Sequence, residues 1–122
     1  MSAAPPRPTP SVTERVGADC GWRWSHYCGG MYLAVKAVAD TGKAVLVVTQ
    51  PYYNWEHEEQ QARMVPFLRA RFAGNPRVRF ADLGHTVNLK DRDICYDGLH
   101  LNATGNRRIA DALLPYAAEM LK

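Results

Sequence analysis

An α/β fold built on a parallel sheet is what this sequence predicts, on three observations. Residues 44–49 (AVLVVT) are an unbroken β-branched apolar run between Gly42-Lys43 and Gln50-Pro51, the pattern of a strand covered on both faces. Residues 77–83 (RVRFADL) alternate Val78, Phe80 and Asp82 as a second strand. Helical stretches precede, separate and follow these two runs, and a strand-helix-strand unit crosses over right-handed into a parallel pair.

The elements follow in order. Residues 1–26 read as an irregular or flexible lead-in, with four prolines in the first ten positions and little apolar periodicity. From 27 to 40, Met31, Ala34, Val35 and Val38 recur at helical spacing, and Thr41-Gly42 supplies the stop. A second helix over 55–72 has a Glu-rich first turn and an apolar face of Val65, Leu68 and Phe72. Pro66 lacks a donor and crowds the preceding turn, so this helix should bend or restart there. Gly74-Asn75-Pro76 ends it. A last helix runs from Ala103 or Thr104 to the C-terminus with a stripe of Ile109, Leu113, Tyr116 or Ala117, and Met120, and Pro115 should bend it. Two strands make a marginal sheet alone, so 27–122 reads as the later part of a larger sheet or as a domain completed by a partner.

Length and composition narrow the function classes. A chain of 122 residues, 47% of them hydrophobic, has material for one packed domain. The net charge of +3 is spread along the sequence, and the cluster Arg63, Arg69, Arg71, Arg77 and Arg79 has no interleaved aromatics or recognised module, so nucleic acid is not an expected partner. Nothing approaches about 18 uninterrupted apolar residues, and no signal-type apolar region follows Met1, so the expectation is a soluble protein with no membrane span. Cys20, Cys28 and Cys95 are too few for a disulfide scaffold and read as thiols, which tilts the compartment towards the cytoplasm. Cys20, His26 and Cys28, with Asp19 or His57 as a fourth, have zinc-compatible side chains, but there is no C-x-x-C, and no metal site is assigned.

The chemistry concentrates in Asp97-Gly98-Leu99-His100, which runs into Leu101-Asn102-Ala103-Thr104-Gly105. A carboxylate three residues before an imidazole can accept its Nδ1–H, fix the tautomer and leave Nε2 to take a proton from a hydroxyl. Gly98 lets the turn between them close.

This block, placed before the last helix, resembles the D-x-x-H motif of the SGNH (GDSL-type) hydrolases. Residues 45–52 (VLVVTQPY) resemble the fourth strand of that family and the loop beside its substrate cleft, so the likeness covers roughly residues 27–122. It implies a flavodoxin-like three-layer sandwich, here incomplete, holding strands 4 and 5 and their flanking helices. It also implies ester hydrolysis by a Ser-His-Asp triad, with His100 as general base and acid, Asp97 orienting it, and no cofactor. The implied substrate is a small ester or an acylated carbohydrate, contacted by Tyr52, Tyr53 and Trp55 on the loop after the strand. The chain departs from the family in having no G-D-S nucleophile block, no strand-borne Gly block and no G-x-N-D block for the oxyanion. Ser2, Ser11 and Ser25 are its only serines, and none follows a strand-like run, so the nucleophile is unassigned. The competing readings are a non-catalytic binding module and a complementation half whose partner supplies the serine and completes the sheet, with self-association as a further possibility.

Overall fold

The structure, a computed structural model, describes residues 8–122. Its elements are α1 (Val12–Val16), a 3-10 turn (Ala18–Cys20), α2 (Ser25–Ala39), β1 (Val45–Thr49), α3 (Trp55–Arg71), β2 (Val78–Asp82) and α4 (Ala103–Met120). The fold is α/β with a small sheet: β1 and β2 pair in parallel, in register from Val45 opposite Val78 to Thr49 opposite Asp82.

Side-chain alternation gives this sheet two faces. Val47 and Val78 belong to the main core with Cys28 and Val35 of α2 and Met64, Phe67 and Leu68 of α3. The other face carries Leu46 and Arg79, which meet Pro115, Tyr116 and Glu119 of α4 around a shallow depression. Arg79 and Glu119 approach to 4.0 Å there. A separate small core of Val87, Leu89, Ile94 and Cys95, packed against Leu101 and Ile109, lies between the end of the sheet and the start of α4.

Thr49 joins the carboxyl ends of the strands. Its hydroxyl donates to the Asp82 carboxylate at 2.9 Å and accepts the N–H groups of Leu83 and Gly84 at 2.9 and 3.1 Å. The Tyr52 N–H then donates to the Gly84 carbonyl at 3.0 Å. The loops that leave the two strands are thereby held side by side, and the carboxyl edge of a parallel sheet is where α/β folds place ligands.

Several expectations need correction. The part of the lead-in over residues 1–7 lies outside the described residues. Residues 12–16 and 18–20 are helical: Ser11 caps α1, its hydroxyl accepting the Glu14 N–H while the Glu14 carboxylate accepts the Ser11 N–H. Gly17 and Gly29 let α1 and α2 touch through their backbones, since an added Cβ would lie 1.9 Å from the Ser25 carbonyl oxygen or 1.8 Å from that of Thr13. Cys20 and Cys28 are not free thiols; they form a disulfide that ties the 3-10 turn to α2.

The apolar face of α2 turns on Cys28, Gly29 and Val35, whereas Val38 points to solvent. In α3 the buried side is Gln61, Met64, Phe67 and Leu68, with Val65 and Phe72 at its margin. Both α3 and α4 run unbroken through their prolines. Pro66 and Pro115 are exposed, as are Ala62 and Asp111 one turn earlier, so water can satisfy the carbonyl that each proline leaves without a donor. Among the described residues no helix is long and apolar enough to cross a membrane.

Candidate functional site

The loop carrying Asp97 and His100 is closed at its neck. Cys95 and Leu101 form an antiparallel bridge, and the Asn102 N–H donates to the Ile94 carbonyl at 2.8 Å. The Asn102 side chain then works in two directions: its Nδ2 donates to the Asp93 carbonyl at 2.8 Å, and its Oδ1 accepts the Gly105 N–H at 3.0 Å as the cap of α4. Gly105 is buried against the same neck, where a Cβ would stand 2.7 Å from the Ile94 carbonyl oxygen.

Within that neck the carboxylate of Asp97 divides its labour. Oδ1 accepts the N–H groups of Leu99 at 2.9 Å and His100 at 2.6 Å, and Oδ2 lies 2.5 Å from His100 Nδ1. Gly98, at φ +79°, takes the left-handed conformation that lets the chain wrap around the carboxylate. The hydrogen bond to the His100 ring, followed by those from the main chain, lowers the Asp97 pKa from 3.8 to about 2. An ionised carboxylate accepts only, so it selects the tautomer with hydrogen on Nδ1 and the lone pair on Nε2. Tyr96 lies over the ring, with planes 15° apart and centroids 6.1 Å apart.

His100 opens on a cleft of about 460 Å³. One wall comes from Gln50, Pro51 and Tyr53 after β1 and His57 of α3. The other comes from Leu89, Tyr96, Leu99, Leu101 and Asn106. Among the described residues no Arg, Lys, Asp or Glu lines either wall.

Of the three side chains singled out for substrate contact, Tyr53 lines this cleft with His100. Tyr52 is not among the residues that line it; it packs edge-on against His57 and His85, over a Gly84 that has no room for a Cβ. Burial raises the Tyr52 pKa, and the nearby Asp82 and Glu58 add to the effect. Trp55 stands at the start of α3 beneath the guanidinium of Arg23, which is paired with Glu56.

No described serine lies in the cleft. Ser11 is occupied as the cap of α1. Ser25 is buried at the start of α2, its hydroxyl donating to the Trp22 carbonyl at 2.9 Å. Ser2 lies outside the described residues. The zinc-compatible set also dissolves, because its two sulfurs are joined in the Cys20–Cys28 disulfide. Among the described residues no three His, Cys, Asp or Glu side chains gather to hold a metal.

Sequence reasoning missed His57 and Tyr96 as members of the cleft. The signal for His57 was local: Asn54 caps α3 by accepting the His57 N–H at 2.9 Å, so the Asn54-x-x-His57 spacing fixes where its backbone stands. Tyr96 had no such signal beyond its place next to Asp97.

Comparison of the chain with protein-family models, with curated proteins and with solved structures gives no match.

Proposed function

We propose that this chain carries the base half of an ester-hydrolysing site of the SGNH type, with Asp97 orienting His100 and His100 acting as general base and then general acid. One observation carries the reading: a carboxylate anchored by two main-chain N–H groups holds an imidazole by Nδ1 at the rim of a cleft. Such an arrangement accepts a proton from a nucleophile at Nε2 and stabilises the imidazolium that forms. The cleft lies beside the loop that follows a parallel strand, where the flavodoxin-like sandwich of that family keeps its substrate. Its Pro51, Leu89, Leu99 and Leu101 side chains, with no Arg, Lys, Asp or Glu in the lining among the described residues, suit the acyl part of an ester.

The nucleophile comes from outside the described cleft. In this reading it arrives on a strand that joins the sheet, because β1 and β2 pair only with each other among the described residues. That makes the chain a half-site, and its exposed strand edges are the surface on which the rest of the site assembles.

A serine-directed fluorophosphonate separates this reading from a pure binding role. The chain alone should take no label. Supplied in trans with a strand segment ending in Gly-Asp-Ser, it should give a labelled complex, with labelling lost in His100→Ala. If such a segment binds without labelling, the cleft is a binding site only. Strong labelling of the chain alone that depends on His100 would place the nucleophile within this polypeptide and overturn the half-site.

A further inference from the structure

We propose that His57 is the hydrogen-bond donor that holds the carbonyl oxygen of an uncharged acyl ligand in the His100 cleft, a role that rests on the hydrolase reading for its substrate class. The assignment starts from a proton. The Tyr53 N–H points at His57 Nδ1 from 3.2 Å, and a main-chain N–H only donates. Nδ1 therefore offers its lone pair, and the ring hydrogen sits on Nε2.

The ring is held in place on three sides. Asn54 fixes the His57 backbone, Tyr53 fixes Nδ1, and Tyr52 stands perpendicular to the ring with centroids 5.9 Å apart. Nε2 has no hydrogen-bond partner among the described residues, and the ring lines the same cleft as His100. A fixed N–H on a ring that lines the cleft, without a partner among the described residues, is a binding group for an acceptor.

His57 and His100 are thus opposite in kind. Asp97 puts the His100 hydrogen on Nδ1 and leaves a lone pair at Nε2; Tyr53 does the reverse for His57. Acyl transfer needs both: one group removes a proton from the nucleophile while another stabilises charge gathering on the carbonyl oxygen. Since no Arg, Lys, Asp or Glu lines the cleft among the described residues, and Pro51, Leu89 and Leu99 supply apolar contacts, the ligand that fits is a neutral acyl group and not a phosphate or carboxylate.

The test is a titration of the full, 15N-labelled chain with N-methylbutyramide, a neutral and non-hydrolysable carbonyl compound, followed through the imidazole nitrogens. Free His57 should carry hydrogen on Nε2, and that signal should shift saturably. His57→Asn keeps an acceptor for Tyr53 but deletes the Nε2 donor, and should weaken binding about fivefold, the worth of one neutral hydrogen bond. His57→Gln, which restores an N–H near the Nε2 position, should recover most of the loss. A hydrogen found on Nδ1, the lack of any saturable shift, or unchanged binding by a folded His57→Asn chain overturns the proposal. His100→Ala keeps the two readings apart: undiminished amide binding there, with no His100-dependent labelling under complementation, would sink the hydrolase reading and leave His57 as the carbonyl donor.

Discussion

Asp97 holds His100 twice, by the main-chain N–H at 2.6 Å through one carboxylate oxygen and by ring Nδ1 at 2.5 Å through the other. The same side chain therefore sets the position of the residue and the direction of its ring. Loss of the carboxylate charge should disturb both together.

Acid should release this loop in a defined window. Because the Asp97 pKa is lowered on folding, from 3.8 to about 2, the carboxylate stabilises the folded loop fully above its unfolded value. That contribution declines below pH 3.8 and is gone once pH has fallen through about 2. The amide signals of Leu99 and His100, both bonded to this carboxylate, should shift as pH falls through about 2. Asp97→Asn should abolish the titration without unfolding the domain.

Crowded glycines set the second prediction. Gly105→Ala forces a methyl to within 2.7 Å of the Ile94 carbonyl oxygen and 2.8 Å of Ile94 Cγ2, so the neck of the Asp97–His100 loop must open. The expected cost is about 1–3 kcal/mol in chemical denaturation, the usual range for overpacking. Gly84→Ala meets the ring of Tyr52 at 2.2 Å and should displace that ring, and with it the support of His57. Its effect should appear in the imidazole signals of His57 before those of His100.

Reduction of the Cys20–Cys28 bond tests the rebuilt N-terminal region. The bridge spans a sequence separation of 8 residues. Chain-entropy reasoning for so short a loop gives about 2–3 kcal/mol. A chain of this size should then melt about 10 °C lower in the presence of a phosphine reductant, and the double variant Cys20→Ser/Cys28→Ser should melt at the reduced value in either condition. A bond of this kind persists in oxidising surroundings, so the tilt towards a reducing compartment loses its premise.

What could be read in the sequence was what neighbours in the chain decide. Asp97 and His100 are three residues apart, and their contact needs only a tight turn at Gly98. The strand 44–49 and the last helix declare themselves by continuous local patterns. Residues that acquire their role from distant partners did not declare themselves. Val38 fits a helical stripe but points to solvent, because α2 is seated on the backbones at Gly17 and Gly29 and not on its most apolar arc. The S-x-x-E capping box at Ser11 was legible and would have located α1. The pairing of Cys20 with Cys28 depends on that same unread turn.

The sheet should not be a comfortable monomer. Leu114 and Leu121 of the C-terminal helix region are 65% and 88% exposed, and the strand pair has no further neighbour among the described residues. We expect concentration-dependent association in sedimentation velocity, or binding of a hydrophobic dye by the monomer. Leu114→Glu should weaken the association if α4 forms the contact and leave it unchanged if the strand edges do. A monodisperse, dye-silent chain at all concentrations would contradict the half-site picture.

Asp97 should fix the tautomer of His100 and turn its Nε2 lone pair to the cleft, and the 15N spectrum of the neutral imidazole reads this most directly. The prediction is a His100 with hydrogen on Nδ1 and an unprotonated Nε2, changing tautomer in Asp97→Asn. A wild-type His100 with its hydrogen on Nε2, or one whose ring signals ignore Asp97→Asn, would contradict the account.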